Sequence, residues 1–132
     1  MAEVSGQNFT STKAASGDIS GSQFTYVRQL AGVNADVLTI SASGVQVPFG
    51  ILQNKPRDNE FATMVVMGHS KVRLANSLGA NIWLMSGQSG WAVQYAAASG
   101  GVSTGRLITG ATSGALGETL FNPTFVGSAS IS

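Results

Sequence analysis

His69 is the one imidazole in a chain of 132 residues, and cysteine is absent, so nucleophilic or metal chemistry has few residues to draw on. Ser70, His69 and Asp58 supply the residue types of a Ser-His-Asp triad, in which an imidazole takes the hydroxyl proton and a carboxylate orients the ring. Ser70 is the immediate neighbour of His69, however, and Gly68-His69-Ser70-Lys71-Val72 lacks the second glycine of a nucleophile elbow. Gly87-Gln88-Ser89-Gly90-Trp91 fails in the same way, with Trp91 where that glycine belongs. His69 therefore reads as a surface turn residue. Of the acids, Glu3, Asp18, Asp36, Asp58, Glu60 and Glu118, only Asp58 and Glu60 lie close together. Two carboxylates fall well short of the roughly six to eight oxygens that calcium takes, and nothing spaces them as a glycosidase pair. The expectation is a non-enzymatic protein with no catalytic residues, metal or cofactor.

Contact chemistry is the alternative, and its candidates are aromatic. Trp91 and Tyr95 alternate in Trp91-Ala92-Val93-Gln94-Tyr95, flanked by Gly and Gln, and fit either a core or a subunit interface. Tyr and Trp anchor interfaces because they bury large area at modest entropy cost. The same pair would serve as a stacking platform for sugars or bases, which Trp83 could join. Trp83, between Ile82 and Leu84, reads as core filling. Phe24 and Tyr26 share one face of a short strand, and Phe9 and Lys13 stand isolated in a small-residue N-terminal stretch. Phe9, Lys13, Phe24, Tyr26, Trp91 and Tyr95 are the candidate partner contacts.

Composition favours contact over catalysis. Gly, Ala, Ser and Thr make up 60 residues, which leaves few large side chains for a core. A core that thin gains from burial against another protein. Charged residues are 10% of the chain, against about 25% in ordinary soluble domains. The net charge of +1 and the lack of any Lys/Arg cluster give no footprint for nucleic acid. Without cysteine there is neither a disulfide framework nor a thiolate metal site. Nothing resembles a signal peptide, and no apolar run is long enough to span a membrane. Asn8-Phe9-Thr10 matches a glycosylation sequon, which has no meaning without export.

The elements that would position these residues are short strands. Residues 1–21 show neither helical nor strand periodicity and read as a flexible N-terminal arm whose removal leaves the fold intact. From there on, 22–132 reads as a single β-rich domain. Strands are expected at 23–28, 36–40 and 45–51, the last with Pro48 demanding an edge or bulge. Lys55-Pro56-Arg57-Asp58-Asn59 is a turn by composition. Residues 60–67 make the strongest strand, with Phe61, Thr63, Val65 and Met67 on one face and Ala62, Met64 and Val66 on the other. Both faces being apolar, it should be central and covered on each side. A turn at Gly68-His69-Ser70, strands at 81–85, 91–95, 105–109 and 117–121, and a tail from Asn122 follow. No helix of ten residues is expected. The fold class is mainly β, a compact small β-barrel or β-sandwich-like domain.

Four runs carry a family likeness: Gly50-Ile51-Leu52-Gln53-Asn54, Gly68-His69-Ser70-Lys71-Val72, Gly105-Arg106-Leu107 and Gly117-Glu118-Thr119-Leu120-Phe121. In order and spacing they resemble the cement, or head decoration, proteins of tailed-bacteriophage capsids, over a span from Val45 to Phe121. Asn59-Glu60 stands where that family often has Gly-Glu. The resemblance implies a compact β domain, commonly a homotrimer, on the outer capsid surface of the virion. It would be made in the host cytoplasm and would bridge subunits of the major capsid protein without catalysis. Such proteins are sometimes labelled recombinases, but a phosphate-cradling P-loop needs Gly-Lys, and that dipeptide is absent here. A carbohydrate-binding β module displayed on a virion, using Trp91 and Tyr95, is the alternative.

Overall fold

The computed structural model describes residues 8–31, 36–39, 48–96 and 102–125. These form one nine-stranded sheet and no α-helix. The strands are β1 (Phe9–Ala14), β2 (Tyr26–Gln29), β3 (Val37–Thr39), β4 (Gly50–Leu52), β5 (Phe61–Arg73), β6 (Trp83–Ser86), β7 (Ala92–Gln94), β8 (Val102–Thr109) and β9 (Leu116–Phe125). Their hydrogen-bonded order is β3-β2-β4-β5-β9-β8-β6-β7, with β1 also paired to β5.

β5 organises the whole sheet because it is long enough to serve two sets of partners. Its first half pairs with β1 and with β4, and its second half, from Gly68 to Arg73, pairs with β9. Each half of the sheet then curls back on itself. Ala15 bridges Val37 in parallel, and the Ser16 amide donates to the Val37 carbonyl at 2.9 Å, joining the end of β1 to β3. In the other half Leu74 bridges Ala92 in parallel, and the Ala75 amide donates to the Ala92 carbonyl at 2.9 Å, joining the end of β5 to β7. Curling satisfies main-chain groups that an open sheet would leave at its edges.

The side chains form two separate core clusters. Tyr26, Ile51, Val72, Leu74, Leu84, Leu107 and Phe121 fill the second, with the Tyr26 and Phe121 ring centres 5.9 Å apart. Ala15, Ile19, Val27, Val37, Leu52, Ala62 and Met64 fill the first. Alternation along the strands does the sorting: Val27 and Leu52 face one cluster while their neighbours Tyr26 and Ile51 face the other. A buried Leu, Ile or Val contributes about 1.5–3 kcal/mol relative to its exposed state. With so few large side chains, two small cores that share β2, β4 and β5 use them economically.

Four expectations change at this level. Residues 9–14 of the stretch expected as an arm form β1, and Ala15 and Ile19 beyond it are core residues. Their small, alternating Thr and Ser carry no apolar periodicity, because this strand contributes main-chain pairing more than side-chain burial. Residues 1–7 lie outside the described set. The turn expected at Gly68-His69-Ser70 is absent, since β5 runs straight through to Arg73. Gly68, at φ +125°, lies where the strand changes partners from β1 to β9, in a conformation that glycine adopts freely. β5 is covered on both sides at Met64 and Val65, but Phe61 (71% exposed) and Met67 (45%) stand in solvent. Finally, β9 extends through Phe125, so Asn122 begins no tail. Of the strand expected at 45–51, residues 50–52 are observed and 45–47 lie outside the described residues.

Candidate functional site

Most residues that sequence reasoning singled out for catalysis are committed to structure. Ser70 is buried; its Oγ donates to the Lys71 carbonyl at 2.8 Å and accepts from Gln53 Nε2 at 2.8 Å. Asp58 Oδ1 accepts from the Gly17 amide at 2.8 Å and ties the turn before β5 to the segment after β1, while Glu60 Oε1 accepts from the Arg57 amide at 2.8 Å and closes that turn. His69 is exposed on β5, beside neither acid in the strand register. Sequence reasoning overlooked one full Gly-x-Ser-x-Gly match, Gly101-Val102-Ser103-Thr104-Gly105. Ser103 lies within β8, buried, with Oγ donating to the Leu84 carbonyl at 3.3 Å, and not on the strand-to-helix elbow the motif requires. Among the described residues no three His, Cys, Asp or Glu side chains gather as a metal site.

The candidate contact residues divide between core and surface. Tyr26 is wholly buried, and its hydroxyl lies 2.7 Å from Thr104 Oγ1 in a buried pair. It is a core residue, since burying a ring beside Phe121 outweighs exposing it. Burial also pushes the Tyr26 phenol well above its ordinary ionisation range, only partly opposed by the Thr104 hydrogen bond. Phe24 is half-buried at φ +65°, a conformation rare for a bulky side chain. It is held there by its own amide donating to the Leu52 carbonyl and by the Arg73 amide donating to its carbonyl. Its ring also lies under the Lys71 ammonium, 6.0 Å from the ring centre. Trp91 is half-buried with the Arg73 guanidinium 5.4 Å from its ring centre, so one aromatic face is already taken. Lys13 is half-buried on β1 opposite Ala62. Phe9 is 62% exposed and pairs across the ladder with Met67.

The outward face of the second half of the sheet holds what the sequence concealed. Register aligns His69 of β5, Leu120 of β9, Arg106 of β8 and Trp83 of β6 in one row across four strands. All four are exposed. Tyr95, just beyond β7, extends the row, its amide donating to the Trp83 carbonyl at 2.8 Å. Trp83 is thus 61% exposed, opposite to the core role its apolar neighbours implied. Ile82 and Leu84 do face inward, and strand alternation sends Trp83 the other way. A cleft of about 550 Å³ opens along this row, lined by Trp83, Tyr95, Gly105, Arg106, Leu120 and Asn122. β8 is irregular between Ser103 and Gly105, and a Cβ at Gly105 (φ +134°) would collide with the Leu120 carbonyl. The cleft therefore depends on a glycine in its lining.

Known proteins resemble this architecture in shape more than in sequence. No family model matches the chain, and no curated protein matches it. Among solved structures, the head fiber gp8.5 N base of bacteriophage phi29 superposes with a TM-score of 0.67 at 13% identity. The match covers 88% of this chain and 95% of that one. At such identity the likeness establishes a shared fold.

Proposed function

We propose that this protein is a non-enzymatic structural component of a bacteriophage virion, a cement or decoration protein on the outer surface of the head. The observation that carries this reading is the fold shared with a phage head fiber base over nearly the whole chain. The sequence resemblance of Gly50–Asn54 and Gly68–Val72 to capsid cement proteins supports it independently. The catalytic residue types add weight, being spent on turns and main-chain bonds.

In this reading the β1–β5 ribbon faces the major capsid protein. Phe9 and Met67 form an exposed apolar cross-strand pair at one end of it, Phe61 stands exposed at the other, and Lys13 lies between. Apolar side chains left in water recover burial energy only against a partner. A homotrimer would present three such ribbons, and each contact would raise the effective concentration of the next.

The test is to add purified protein to capsids that lack it, image the occupancy, and measure the temperature at which decorated and bare capsids rupture. Decoration with a raised rupture temperature, reduced by Phe9→Ala with Phe61→Ala, is expected. Absence of binding, or capsids equally robust without the protein, would remove the cement function. A protein monomeric both free and bound would remove the trimer.

A further inference from the structure

The cleft on the outer face of β6, β8 and β9 plays no part in the capsid reading, and its chemistry is specific. Its lining offers an indole, a guanidinium and a phenol, with Ser103, Gly105, Leu120 and Asn122 completing it. Trp83 presents most of its ring to solvent beside Arg106, its neighbour in the strand register. Among the described residues the Arg106 guanidinium is engaged by no hydrogen bond or ion pair, and no carboxylate lines the cleft. Glu118, the acid on the same face of β9, accepts from Thr109 Oγ1 at 3.3 Å and sits opposite Lys71 in the register. Tyr95 adds a hydroxyl that is shielded from solvent and has no hydrogen-bond partner among the described residues. A polar atom in that state gains more than any exposed one from a ligand that reaches it.

These features select among ligand classes. A nucleotide or polyphosphate calls for several cations, and this lining has one. A purely apolar ligand would leave Arg106 and Tyr95 Oη without use. A pyranose ring has an apolar C–H face that stacks on an indole and a rim of hydroxyls that pair with phenol and guanidinium groups. A ring carboxylate would complement the lone guanidinium. We infer that the Trp83–Arg106 cleft binds a hexuronic acid unit of an acidic polysaccharide, with Trp83 under the sugar ring and Arg106 on its carboxylate. The sugar platform expected at Trp91 and Tyr95 thereby moves to Trp83, because Arg73 occupies Trp91 while Tyr95 remains in the cleft. Capsid docking uses a different face, so either reading can fail alone.

Two probes that differ only in the carboxylate decide it: methyl β-glucuronide and methyl β-glucoside, titrated into the full chain while the two indole N–H resonances are followed. The glucuronide is expected to shift the Trp83 resonance with a millimolar dissociation constant, leaving Trp91 unmoved, and to bind several-fold more tightly than the glucoside. Trp83→Ala should weaken glucuronide binding at least about tenfold, Trp83→Phe should restore part of it, and Arg106→Met should erase the preference for the acid while the glucoside still binds. Silence of the Trp83 resonance to both sugars at about 50 mM, far above such a constant, would overturn the proposal. So would an acid preference unchanged in Arg106→Met. If Trp83→Ala converts an oligomer to a monomer, the cleft is a subunit interface and the sugar site is excluded.

Discussion

The side-chain amide of Asn8 pairs with the main chain of His69 as a neighbouring strand would: Asn8 Nδ2 donates to the His69 carbonyl at 3.0 Å, and the His69 amide donates to Asn8 Oδ1 at 2.9 Å. This two-bond clamp sits beside Gly68, where β5 leaves β1 for β9. A side chain at Gly68 would overlap the Asn8 amide oxygen and strain the backbone at φ +125°. Gly68→Ala is expected to cost about 2–3 kcal/mol and Asn8→Ala about 1 kcal/mol. The double variant should lose less than the sum, because each breaks the same clamp. His69→Ala should stay within about 0.5 kcal/mol, since the clamp uses the main chain and the imidazole is exposed. Urea titration of the four variants checks all of this.

Val65 sits opposite both Thr10 of β1 and Ile51 of β4 and is buried between them. Val65→Asp places a carboxylate with no partner in that position, at a cost of at least about 4 kcal/mol. Loss of cooperative thermal unfolding is expected. Val65→Thr, similar in shape, should remain folded with reduced stability.

Truncation distinguishes an arm from a strand. Removing residues 8–20 takes away β1, the Asn8 clamp and the core residues Ala15 and Ile19. It also exposes the edge of β5 that β1 had covered. The truncated chain is expected to aggregate or to show no near-ultraviolet dichroism. A monodisperse, natively folded product would show that β1 is dispensable.

Tyr26 and Thr104 form the buried hydroxyl pair that links β2 to β8. Tyr26→Phe strands the Thr104 hydroxyl, at a cost of about 1–3 kcal/mol, and Thr104→Val alone strands the phenol similarly. Combining them leaves no orphan, so the pair should couple by about 1 kcal/mol or more in a double-mutant cycle.

The same phenol sets the alkaline limit. Its folded-state ionisation lies above the ordinary value of about 10, so its stabilisation is whole below that value and is lost as pH rises through the raised one. Stability measured from pH 8 to 11 should fall more steeply in the parent than in Tyr26→Phe. At the acid end the order reverses. The Ser20 hydroxyl, and then the Ser20 amide, hydrogen-bond the exposed Asp18 carboxylate and hold its ionisation below the ordinary carboxylate range. Its contribution is present above that range and is lost as pH falls through the lowered value, so Asp18→Asn should flatten only the acid side.

Strand after strand was legible in the sequence because alternation is a local property. The apolar runs of β5, β6 and β9 and the turn at 55–59 follow from residue types and spacing. Alternation shows which residues share a face, but not which face meets the core. Trp83 and Tyr26 were therefore assigned to the wrong sides: pairing put Trp83 out beside Arg106 and Tyr26 in against Phe121. β1 was invisible for a related reason. Its stability comes from main-chain bonds to β5 and from Asn8 gripping a residue 61 positions away, and neither depends on side-chain hydrophobicity. Gly68 likewise signalled a turn by composition, yet a strand exchanging partners needs the same backbone freedom. The sequence by itself determined a β protein of small cores. Only the tertiary pairing decided which aromatic stands in solvent, where the cleft opens and how β5 joins the two halves, because those depend on register between strands distant in the chain.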